Sequence, residues 1–93
     1  MNPLITETIQ GEPYHYYPIG KYIVRAVGVC GGRPTFKYTR IEISGVLERL
    51  TTGEHIDSIV QGYRERVSQD AVNEAIRLVT SHFIETLPVL EAA

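Results

Sequence analysis

At Ser44 the spacing of apolar residues changes, and that change limits what the chain can fold into. Before it, short runs of β-forming residues are broken by glycine and proline. After it, apolar residues recur three and four positions apart, as on one face of a helix. Tyr22-Ile23-Val24-Arg25-Ala26-Val27 reads as a strand closed by Gly28, and Thr35 to Ile43 as a second extended stretch. Gly31-Gly32-Arg33-Pro34 is the turn between them, since glycine supplies positive φ and proline fixes the next φ. Two strands alone are marginal in water, so helices or another subunit must cover one face.

Three helical segments follow. Ser44 is placed to cap the first, which carries Val46, Leu47 and Leu50 and stops at Gly53 as C′ residue. Ile56, Ile59, Val60 and Tyr63 form one narrow apolar stripe on the second. Ser68 caps the third, with Val67 and Val72 positioned as a hydrophobic staple. Val72, Ala75, Ile76, Val79 and Phe83 share its apolar stripe, and Pro88 ends it near Thr86. The expected fold is mostly α: a three-helix bundle with a short β-hairpin on its N-terminal side. Residues 1–21 read as an extended, tyrosine-rich arm, 22–86 as a single domain, and 87–93 as a tail.

Composition bounds the function. With 43% hydrophobic and 22% charged residues among 93, the chain has the apolar mass of a folded domain rather than a disordered tail. It lacks the run of about 18 apolar residues that a membrane span needs. Its size allows one small core, so a deep catalytic cleft is not expected. A single cysteine, Cys30, forms no internal disulfide, and Met1 to Glu7 has neither the basic nor the apolar region of a signal peptide. A cytoplasmic protein is the expectation.

The formal charge of −2 is unevenly spread. Residues 21–40 hold Lys21, Arg25, Arg33, Lys37 and Arg40 and no acid, while residues 41–93 carry a net −5. A basic segment on an acidic body steers a protein toward a polyanion or an acidic partner, unless its own helices neutralise it. Tyr14, Tyr16 and Tyr17, between Pro13 and Pro18, suit an extended strap against a surface, a partner's or its own. In the tail, Leu87 and Leu90 are candidate partner contacts, with folding back onto the core as the alternative.

The segment Cys30-Gly31-Gly32-Arg33-Pro34-Thr35-Phe36-Lys37, followed by Thr39-Arg40-Ile41, resembles the signature of domain-of-unknown-function family 433. There a C-G-G-x-P turn and a G-T-R-I step precede a helical pair, whose connection corresponds here to Thr51-Thr52-Gly53-Glu54-His55. The resemblance covers roughly residues 23–80, and Ile56 to Val60 with Tyr63 continue it. Tyr38 replaces the usual glycine, which implies a less sharp turn, and His55 stands where a small capping residue is common. The resemblance implies a homeodomain-like helix-turn-helix in the three helices. It also implies an antitoxin-like, VapB-type regulator with two partners: a PIN-like ribonuclease toxin, which it masks, and operator DNA.

For DNA, the third helix offers Gln69, Asn73 and Arg77 to base edges, although Asp70 and Glu74 share that face. Arg33, Lys37 and Arg40 are the better phosphate candidates, as a basic ribbon. A homodimer would double this footprint, with Leu78 and Ala71 as candidate dimer contacts or as part-buried core. The acidic helices favour a rival function, a protein-binding or dimerisation module without nucleic-acid contact. Catalysis is not expected. Gly28 to Arg33 lacks the Gly-Lys-Ser/Thr step of a phosphate loop, and no spacing joins Cys30 to His15, His55 or His82. The same histidines form no metal-ligand pattern, and neither cofactor nor metal is expected.

Overall fold

The structure, a computed structural model, describes residues 3–88. It corrects the expected fold class. The chain is α+β, with a four-stranded antiparallel sheet in the order β1-β2-β3-β4, not a mostly α bundle with one short hairpin. Strands β1 (Ile5–Ile9) and β2 (Glu12–Pro18) occupy the stretch read as an extended arm. Gln10 and Gly11, with φ of 52° and 81°, join them in a two-residue turn whose twist matches that of paired strands. The tyrosines thus lie on a strand, and Pro18 closes it.

Strand β3 (Ile23–Ala26) lies where its β-formers place it, but β4 is only Thr35–Phe36. The second strand of the expected hairpin stops there because the chain reverses over Lys37–Arg40. Tyr38 takes a φ of 67°, the Thr39 hydroxyl donates to the Phe36 carbonyl (2.8 Å), and the Phe36 N–H donates to the Ile41 carbonyl (3.0 Å). The turn at Tyr38 is therefore sharp. Tyrosine adopts the left-handed conformation natural to glycine, at a cost of about 1–2 kcal/mol that its contacts offset.

Helices α1 (Ile43–Thr51), α2 (Ile56–Gly62) and α3 (Gln69–Thr86) follow. Helix α1 starts one residue before Ser44, with Glu42 at the cap and no side-chain bond there. It ends as its glycine requires: the Gly53 N–H reaches the Leu50 carbonyl and the Glu54 N–H the Arg49 carbonyl. Ser68 caps α3 by accepting from the Ala71 N–H (3.1 Å).

Alternation along the strands sorts the side chains into two cores. Ile23 and Phe36 on one sheet face meet Val46, Ile59, Val67, Ala71, Val72 and Ala75 from the helices. Tyr16, Val24 and Ala26 on the other face form a second cluster with Ile5, Tyr14 and Val29. Helix and sheet are tied by Glu74, whose carboxylate accepts from the Lys21 and Tyr22 backbone N–H groups (3.0 and 2.8 Å). That contact needs Gly20, because a Cβ there would lie 2.5 Å from the Glu74 carboxylate.

Thr35, fully buried, has a hydroxyl with no hydrogen-bond partner among the described residues. Thr35→Val keeps the shape and removes the orphan, so it is expected to stabilise the domain by about 1 kcal/mol, raising Tm by about 4–8 °C. A thermal melt showing an unchanged or lower Tm contradicts this.

Candidate functional site

Two of the three cations of the basic ribbon, Arg33 and Lys37, are paired with the protein's own acids. Arg33 pairs with Glu42 (2.6 Å), which holds its guanidinium above its ordinary pKa. Lys37 lies 3.7 Å from the Glu7 carboxylate and 5.0 Å from the ring centres of both Tyr16 and Tyr38. Glu7 is the hub. The Tyr16 hydroxyl donates to one carboxylate oxygen and the Tyr38 hydroxyl to the other (2.8 Å), while the Tyr38 N–H donates to the Tyr14 hydroxyl (3.0 Å). The tyrosine bonds, Tyr16 first and then Tyr38, hold the Glu7 carboxyl below its ordinary pKa against some desolvation. In return the Glu7 bond raises the Tyr16 phenol.

Of the tyrosines offered as partner contacts, Tyr16 is buried, Tyr14 half-buried between Tyr16 and Tyr38, and only Tyr17 exposed. The strap thus covers the protein's own second core. Arg40 is exposed, and its carbonyl accepts from the Cys30 thiol (3.3 Å). Gln69 and Arg77 are exposed on α3, while Asn73 is half-buried. Glu74, expected beside them on a free polar face, is engaged with the β2–β3 loop. Ala71 belongs to the main core, and Leu78 packs against it half-buried. Leu90 lies outside the described residues.

Among the described residues Arg40, Arg64, Arg66 and Arg77 have no ion pair. Arg64 and Arg66 line a shallow recess with Ile41 and Tyr63, in the turn between α2 and α3 where Arg64 and Glu65 both hold positive φ. Arg49, by contrast, grips Glu54 through two bonds (2.5 and 2.9 Å) and stacks on Tyr63. The Arg49 bond keeps the Glu54 carboxyl below its ordinary pKa. No group of three His, Cys, Asp or Glu among the described residues can hold a metal ion, and no described helix is long and apolar enough to cross a membrane.

The largest departure from expectation is the distal half of α3. Val79 and Phe83, expected in the buried stripe, are 44% and 61% exposed, and Ile84 and Leu87 are 60% and 48% exposed. Length explains it. An 18-residue helix extends about 27 Å, whereas α1 and α2, at 9 and 7 residues, extend about 14 and 11 Å. Only Ala71, Val72 and Ala75, in its first two turns, are fully buried. Below the overhang an apolar recess is lined by Ile19, Pro34, Ile43, Leu78 and Val79, with His82 at its side. The described part of the tail, Leu87 and Pro88, is exposed rather than folded onto the core.

The Glu7 hub makes acid stability testable. Its folded pKa is depressed, so its contribution is complete above the unfolded carboxylate value and lost as pH falls through the folded one. Tm is expected to drop as pH is lowered from about 5 to about 3, with Glu7→Gln removing part of that drop and Glu54→Gln another part. A Glu7→Gln variant with the full acid sensitivity of the wild type contradicts the assignment.

A family model described as "Protein of unknown function (DUF433)" matches residues 23–78. No curated protein and no solved structure matches the chain. The matched segment runs from β3 through the Tyr38 turn, α1 and α2 to Leu78 on α3, and leaves out β1, β2 and the overhang. With well over half its length so matched, the chain belongs to the DUF433 family of proteins of unknown function.

Proposed function

We propose that this chain is an antitoxin-like regulator acting through protein contact, in which the overhanging end of α3 seizes a PIN-like ribonuclease. The supporting observation is the apolar stripe of Val79, Phe83, Ile84 and Leu87, left without cover among the described residues beside the recess of Ile19, Pro34 and Ile43. Contiguous apolar surface of this kind on a small domain favours a protein partner. A helix laying such residues into a groove is a common way to bind one. Family likeness to antitoxins supplies the partner class.

The test is whether the neighbouring reading frame encodes a PIN-like ribonuclease and whether this chain binds a PIN-like ribonuclease, measured by calorimetry. Phe83→Asp with Ile84→Asp is expected to weaken binding at least about 30-fold, the loss of a 2 kcal/mol hot spot, with Tm hardly changed. Undiminished binding by the folded double variant rules out the α3 end.

Operator DNA is a second reading, favoured by the unpaired Arg40, Arg64 and Arg66 rather than by the original trio. Three phosphate contacts predict a log–log salt slope of about −3, and Arg64→Ala with Arg66→Ala should bring it to about −1. A flat salt response, or no binding to the gene's upstream DNA at low salt, leaves the protein-binding function alone.

A further inference from the structure

We propose that the outer edge of β1 is a dimerisation surface, on which a second copy of this chain adds its own β1 antiparallel about a two-fold axis at Glu7. The proposal does not depend on the α3 partner. Strand β1 is the end strand of the sheet, and no described strand pairs with its outer side. The direction of its free groups follows from the neighbouring ladder. The His15 carbonyl accepts from the Val27 N–H (2.9 Å), so the odd residues of β2 bond toward β3 and its even residues toward β1. Because Tyr16 lies opposite Ile5, Tyr14 opposite Glu7 and Glu12 opposite Ile9, those three β1 residues bond inward. Thr6 and Thr8 therefore turn their N–H and C=O groups outward.

Those outward groups ask for another strand, and the sequence of β1 says which. Ile5-Thr6-Glu7-Thr8-Ile9 is the same read in either direction. In a two-fold pairing each residue meets its symmetry mate, and this palindrome makes every such pair one of like residues. Centred on Glu7, it sets Thr6 against Thr8 of the second copy in hydrogen-bonded pairs, giving four backbone bonds. Ile5 then lies against Ile9 of the second copy in the closer, non-bonded positions. Ile5 is half-buried at the rim of the Tyr16 cluster, so an added isoleucine would extend that core.

Several of the usual guards of a free edge are missing. Strand β1 holds no lysine, proline or glycine, and its residues pair with β2 without a bulge. Its one charge, Glu7, would face its symmetry mate. That carboxylate is drawn inward by the Tyr16 and Tyr38 hydroxyls and offset by Lys37. The like-charge penalty of facing glutamates is reduced accordingly.

The experiment is sedimentation and light scattering of the full chain between about 1 and 100 µM, the range in which a weak to moderate dimer dissociates. The wild type should run at twice its 10.4 kDa mass at the upper end. Thr8→Pro deletes one outward N–H while keeping extended backbone, and Thr8→Lys places a charge on the edge with the backbone intact. Each should weaken dimerisation at least about 30-fold, equivalent to about 2 kcal/mol, with an unchanged far-ultraviolet spectrum. Hydrogen exchange should show the Thr6 and Thr8 amides protected at high concentration and exposed on dilution. A wild type that stays monomeric at 100 µM overturns the proposal, as do folded Thr8 variants that remain dimeric. A dimer abolished by Phe83→Asp but untouched at Thr8 moves the interface to α3 and overturns it equally.

Discussion

A single carboxylate, Glu7, joins three separate stretches of chain by gathering two tyrosine hydroxyls and a lysine. Strand β1 supplies it, β2 supplies Tyr16, and the turn after β4 supplies Lys37 and Tyr38. Without that convergence the strained backbone at Tyr38 would lack the bonds that hold it, and the second core would lose its cover. The same contact occupies Lys37, one of the cations best placed in sequence to meet a phosphate. Structure and function are therefore linked at this point: what stabilises the hairpin removes charge from the ribbon.

A mismatch of helix lengths shapes the opposite surface. Helices α1 and α2 are too short to cover α3, so its apolar stripe continues past the last neighbour able to bury it. Burial of Val72 and Ala75 is folding energy; the exposed Phe83 and Ile84 carry the apolar pattern on with nothing among the described residues to bury them. The matched family segment ends at Leu78, just before the exposed part of the stripe begins.

Local signals were legible in the sequence, and pairings between distant residues were not. Ser68, Val67 and Pro88 bound α3 through contacts a few residues long, and the third helix lies where they place it. Gly53 closes α1 in the same way. Strand β1 was missed because its five-residue alternation is short and its turn, Gln10-Gly11, lacks the Asn or Asp that usually marks a hairpin. The Tyr38 turn hid inside β-forming residues, and its left-handed φ rests on Glu7 and Tyr14, 31 and 24 positions away. Burial of Tyr16 follows from the same distant contacts. The alternation of β1 does carry one usable signal, the charge of Glu7 on the side of its isoleucines, since an acid on an apolar face needs a partner.

Segment charges illustrate why a sum along the chain says little about the field around it. Residues 21–40 hold five cations without an acid, yet Arg33 answers Glu42 and Lys37 answers Glu7, both acids lying outside the segment. Conversely, Arg64, Arg66 and Arg77 come from the acidic part of the chain and carry no ion pair among the described residues. Opposite charges 2.6 and 3.7 Å apart largely cancel for an approaching polyanion, while an unpaired guanidinium acts over the screening length of about 10 Å. Cations without an ion pair among the described residues are therefore spread over both parts of the chain: Lys21, Arg25 and Arg40 in the basic segment, and Arg64, Arg66 and Arg77 beyond it.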